Sequence, residues 1–91
     1  MNNTEIHSLI EKAANENWSE LDLRNKNLEY LPKTIKKLKH LVKLDLYGNQ
    51  LRRLPSEIGD LRALTKLYLE YNEISELPPE IGHLLLLPIR S

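Results

Sequence analysis

A spacing of 23 residues constrains this chain more than any other feature. Leu44 to Lys66 reads LDLYGNQLRRLPSEIGDLRALTK, and it aligns with Leu21 to Lys43 and with Leu67 to Ile89 on a shift of 23 either way. Seven aliphatic columns recur: Leu21/Leu44/Leu67, Leu23/Leu46/Leu69, Leu28/Leu51/Ile74, Leu31/Leu54/Leu77, Ile35/Ile58/Ile81, Leu38/Leu61/Leu84 and Leu41/Leu64/Leu87. A fixed period of this size marks a fold built by stacking one unit. Within the unit the periodicity changes. Leu44, Asp45, Leu46, Tyr47 alternate apolar and polar, which is a strand with leucine on one face. Ile58, Leu61 and Leu64 are spaced by three, which suits a helical or 3₁₀ turn. The proline after each Leu31, Leu54 and Leu77 (Pro32, Pro55, Pro78) ends the extended leg, because it lacks an N–H and fixes φ. One such unit cannot bury its apolar edge, so stacked units with parallel strands are expected.

The pattern LxxLxLxxNxLxxLPxxIGxL, matched by Leu41 to Leu61 with Asn49 at its asparagine, resembles the leucine-rich repeat. The 23-residue LPxxIG variety is similar to repeats of plant intracellular Ras-group proteins and bacterial Roco-type GTPases, and IEKAANENWSELDL resembles the lead-in of the latter. The resemblance covers about residues 18 to 87. It implies an α/β fold: a short right-handed solenoid, an N-terminal capping helix and three parallel strands on a concave, protein-binding face. It also implies that the motif asparagine bonds loop backbone in its own and adjoining repeats. That position is Asn49, Asn72 and, in the first repeat, Lys26. Lysine only donates, so the asparagine ladder is expected to start at Asn49, with Asn25 or Asn27 as local substitutes.

Residues 1–91 are expected to form one domain: a capping helix over 3–17, then repeats at 21–43, 44–66 and 67–89. Ile6, Leu9, Ile10, Ala13 and Ala14 make one apolar stripe over residues 4 to 16. Asn3 or Thr4 is a candidate N-cap, and Trp18 plugs the same end of the stack. Lys33, Lys36, Lys37, Lys39 and Lys43 give the first return segment a basic surface, read as a solvated face because no aromatic residues interleave for base stacking. Lys36 stands where later repeats have Gly59 and Gly82, so that segment is expected to be more helical. The column of Leu44 and Leu67 continues at Arg90, and the position before it that should lead a fourth strand is Pro88, so no fourth strand and no C-terminal cap are expected. Leu85, Leu86 and Leu87 would then face an unsealed end. The open accounts are a piece of a longer repeat protein, self-association through the C-terminal end, or a tail from Leu84 to Ile89 folded back as a cap.

Formal charge is zero, so no bulk attraction to nucleic acid or membrane is expected. Absence of cysteine excludes thiolate catalysis and a disulfide cap, and with no signal-like N-terminus a cytoplasmic location is expected. The longest apolar run, Leu84 to Leu87, is too short to span a bilayer. There is no GxxxxGK[ST] and no GxGxxG. His7, His40 and His83 share no repeat column, so no metal site, cofactor or catalytic set is expected and the chain reads as no enzyme. Function is expected on the strand residues that alternate with core leucines. They form a grid of three columns: Glu20, Lys43, Lys66; Asp22, Asp45, Tyr68; and Arg24, Tyr47, Glu70, with Tyr71 beside it. Neighbours in a column lie about 4.8 Å apart. Tyrosines there suit a protein interface. Asp22 beside Asp45 opposes like charges, which Arg24, Lys43 and Lys66 would balance.

Overall fold

The computed structural model of the chain describes residues 1–84 and 89–90. A helix, α1 (Asn3–Asn15), leads into three short strands, β1 (Glu20–Asp22), β2 (Lys43–Asp45) and β3 (Lys66–Tyr68). Between and after them run three 3₁₀ segments, Lys33–Lys37, Ser56–Asp60 and Pro79–Leu84. The strands are parallel and in sequence order, with Leu21 opposite Leu44 and Leu44 opposite Leu67. The 23-residue period is therefore the strand register itself. This is the α/β solenoid that the sequence implies.

The expectation of no fourth strand is corrected. A two-residue strand, β4 (Ile89–Arg90), pairs parallel with β3, placing Ile89 opposite Leu67 and Arg90 opposite Tyr68. The repeat register would have put Arg90, not Ile89, opposite Leu67. The period shortens by one residue at this step. A proline removes only its own N–H, so Ile89 and Arg90 keep theirs and remain free to pair. Leu85, Leu86 and Leu87 lie outside the described residues, as do the side chains of Ile89 and Arg90.

The core follows the seven columns. Leu23, Ile35, Leu41, Leu44, Leu46, Leu51, Ile58, Leu61 and Leu67 are fully buried. From α1, Ile6, Ile10 and Ala13 enter the same core, so the helix seals the first repeat. Its N-cap is Asn2, one residue before the expected Asn3 or Thr4. The Asn2 side chain accepts the Glu5 N–H at 2.8 Å, and the Glu5 carboxylate accepts the Asn2 N–H at 3.0 Å. This reciprocal pair satisfies two otherwise orphaned donors. The helix stops where Asn17 takes φ 53°, with Trp18 N–H donating to Ala13 O and Asn17 N–H to Ala14 O, the two bonds of a Schellman stop. Trp18 packs partly buried against the core, its indole N–H held by Glu16 at 2.9 Å.

The first return segment is no more helical than the second. Both are five-residue 3₁₀ turns at the same register, opened by the carbonyls of Pro32 and Pro55 accepting from Ile35 and Ile58 at 3.1 and 3.0 Å. The buried isoleucine sets the geometry: the same turn forms with Lys36 exposed in the first repeat and Gly59 buried in the second. In the third repeat the packing loosens. Ile74 and Ile81 are only partly buried, and Leu77 is 40% exposed where Leu31 and Leu54 are 3%.

Candidate functional site

The strand register builds the grid. Glu20, Lys43 and Lys66 are successive partners, as are Asp22, Asp45 and Tyr68. The ladder continues past the strands through Leu23 N–H to Asp45 O, Leu46 N–H to Tyr68 O, Asn25 N–H to Tyr47 O and Gly48 N–H to Glu70 O, all at 2.8–2.9 Å. Arg24, Tyr47 and Glu70 thus share the third column. Glu20, Asp22, Arg24, Lys66 and Tyr71 are exposed, while Lys43, Asp45, Tyr47, Tyr68 and Glu70 are partly covered by their neighbours.

The ladder is fixed from below by asparagine. Asn49 is 6% exposed. Its Nδ2 donates to Leu23 O at 2.8 Å and Leu46 O at 2.9 Å, and its Oδ1 accepts from Lys26 N–H and Leu28 N–H, both at 3.0 Å. Asn72 repeats the motif one unit on, donating to Leu46 O and Leu69 O and accepting from Leu51 N–H. The ladder starts at Asn49, as expected. Each asparagine ties two repeats together at the loop that follows the strand.

The paired aspartates have a local task. Asp22 Oδ1 accepts Arg24 N–H at 3.0 Å, and Asp45 Oδ1 accepts Tyr47 N–H at 3.1 Å. Each turns its own backbone two residues on. Arg24 Nε lies 3.6 Å from Asp45 Oδ2, which relieves the like charges; with Arg24 half-exposed the pair contributes at most about 1 kcal/mol. Lys43 sits 5.7 Å over the Tyr68 ring instead of joining the carboxylates. Among the described residues no group of acidic or histidine side chains could hold a metal ion.

A chain of aromatic and cationic contacts crosses the face. The Arg24 guanidinium lies 4.5 Å from the Tyr47 ring centroid, and the Tyr47 ring meets Tyr71 edge-on at 5.2 Å and 64°. Tyr68 belongs to the separate Lys43 pair. Among the described residues Tyr71 is the most exposed of the large apolar side chains, at 76%. Its backbone is left-handed, φ 58°. The same column holds Asn25 at φ 53° and Gly48 at φ 72°. All three repeats need a left-handed residue there. Two use types that tolerate it; the third uses a bulky aromatic, for which it is an outlier. Sequence reasoning placed Tyr71 beside the grid but missed this strain, although glycine at position 48 of the column signalled it.

A model of the leucine-rich repeat region family matches residues 20–88, about three-quarters of the chain. No curated protein matches it. Among solved structures, a leucine-rich repeat protein of Leptospira interrogans is similar at 27% identity and a TM-score of 0.43, over 89% of this chain. The match covers 33% of that protein's chain, so this chain spans about a third of its length. Such repeats generally mediate protein–protein contact. No helix among the described residues is long and apolar enough to cross a membrane. With its repeat register, asparagine ladder and family match together, the chain belongs to the leucine-rich repeat family.

Proposed function

We propose that this chain is a non-enzymatic, cytoplasmic protein-interaction module that binds a protein partner through the concave face of its sheet. Residues 1–91 act as one domain in this reading, with repeats at 21–43, 44–66 and 67–89. The contact surface is Glu20, Asp22, Arg24, Lys43, Asp45, Tyr47, Lys66, Tyr68, Glu70 and Tyr71. The observation that carries it is Tyr71. It occupies a left-handed position that Asn and Gly fill in the other repeats, and it leaves most of its ring in water. A backbone outlier of this kind costs of order 1–3 kcal/mol. Its edge-on contact with Tyr47 returns about 0.5–1.5 kcal/mol, so folding gains nothing clear from tyrosine there. Binding would, because large rigid aromatics with a polar tip anchor interfaces.

Replacing Tyr47 and Tyr68 by alanine tests the reading. Both are only partly buried, so the fold should survive while partner affinity falls at least tenfold, about 1.4 kcal/mol. Unchanged affinity in a folded variant refutes it.

A second reading is stacking of another repeat surface on the C-terminal end. It is favoured by an open hollow of about 410 Å³ whose apolar lining is Leu69, Tyr71, Ile74 and Leu77, with Asn72, Ser75 and Glu76 at its edge. The occupant would be a second copy or further repeats of a larger protein, such as a Roco-type signalling GTPase.

A further inference from the structure

The flank of the solenoid carries a second groove, away from the sheet face. It lies where the Leu-Pro turns of the first two repeats stack beside α1, and has a volume of about 450 Å³. Its floor is Leu31, Pro32, Leu54 and Pro55; its rim is His7, Tyr30, Lys33 and Arg53. The floor's two prolines offer no N–H, and their carbonyls are already taken by Ile35 and Ile58. Both prolines are extended, with φ −70°, so the two turns present the same shape in register. Tyr30 forms one wall and leaves 46% of its surface exposed.

The rim is cationic. Lys33 and Arg53 are exposed, and neither joins an ion pair among the described residues. Their neighbours behave differently: Lys37 pairs with Glu11, and Arg52 with Glu73 at 3.7 Å. The cationic rim ends with the second repeat. The column of Tyr30 and Arg53 continues at Glu76, and that of Lys33 and Ser56 at Pro79. Apolar floor and positive rim therefore coincide only between the first and second repeats.

We propose that this groove is a second docking site, and that its occupant is an acidic peptide segment with apolar anchors from a partner protein. The floor takes aliphatic or aromatic side chains against the two Leu-Pro turns and the Tyr30 ring. Flanking carboxylates meet Lys33 and Arg53. Charge at such a rim sets recognition and encounter rate, while the apolar floor supplies most of the attraction.

The test is a titration of the full isotope-labelled chain, followed by amide chemical shifts. The probe is a short synthetic peptide rich in glutamate and carrying two leucines. Controls replace its leucines by serine or its glutamates by lysine. The expected result is saturable shifts confined to His7 and residues 30–34 and 53–56, weakened by added salt. Neither control peptide should reproduce them. Lys33→Glu and Arg53→Glu, both surface changes, should each weaken binding about fivefold or more, and Glu76→Lys should leave it unchanged. Four results overturn the proposal: no saturable shift, shifts centred on Tyr47, Tyr68 and Tyr71, equal binding of the serine control, or groove shifts that follow protein concentration without peptide. The last would assign the groove to a second copy of the chain. The salt series on the unmodified chain decides the charge argument even if a variant misfolds.

Discussion

Single residues decide how one repeat is joined to the next. Asn49 makes four bonds of 3.0 Å or less to backbone of two repeats, and a longer one to Tyr47 O, from a buried position. Asn49→Asp keeps the acceptor and loses the donor, leaving Leu23 O and Leu46 O facing a carboxylate. A buried group stripped of its partner costs about 1–3 kcal/mol, so the change should destabilise by about 3 kcal/mol or more. Denaturant unfolding measures it, and a loss under 1 kcal/mol would show the ladder to be dispensable. Gly48 is a milder case. A Cβ there would collide with Asn25 Oδ1, at φ 72°. The asparagine oxygen can rotate away, so the cost of Gly48→Ala is chiefly the left-handed backbone, about 1–2 kcal/mol. The same unfolding experiment reads it.

At the scale of elements, the helix and the 3₁₀ turns are held more by what they bury than by intrinsic preference. A 13-residue helix is marginal in isolation, and α1 persists because Ile6, Ile10 and Ala13 close the first repeat. Ile10→Ala should therefore cost about 2–5 kcal/mol and loosen β1 with the helix; hydrogen exchange at Leu21 and Leu23 should rise together with that of α1. Protection of β1 unaffected by the change would mean that the helix is not a cap. This part of the fold was legible in the sequence because its signal is a column repeated three times: Leu21/Leu44/Leu67 became strand register, and Ile35/Ile58 became buried turn residues. What the columns could not carry was local geometry that repeats do not share. The one-residue step that pairs Ile89 with Leu67 breaks the period. The capping box at Asn2 depends on Glu5 reaching back, which spacing suggests only once the helix start is fixed. Lys33 and Arg53 come from different columns of different repeats, so nothing linear marks the groove they rim.

For the whole molecule, the stack is better sealed at α1 than at its third repeat, where Leu77 is 40% exposed and Ile74 only partly covered. If another surface stacks there, light scattering behind a sizing column should show association that rises with concentration, and Leu77→Glu should reduce it. A chain that stays monomeric at every concentration contradicts that second reading and leaves the sheet face as the principal surface. A standard interface uses about 20–30 residues on each side, and the grid with Tyr71 offers ten, so partners should bind weakly or extend onto the flank. The most direct measurement of the central proposal is photocrosslinking from position 71, with a photoreactive phenylalanine derivative in place of Tyr71. The expected result is a crosslinked protein partner that unmodified chain competes away and that folded chain carrying Tyr47→Ala and Tyr68→Ala does not. Equal competition by both chains would contradict it, because the tyrosines of the sheet face would then add nothing to recognition.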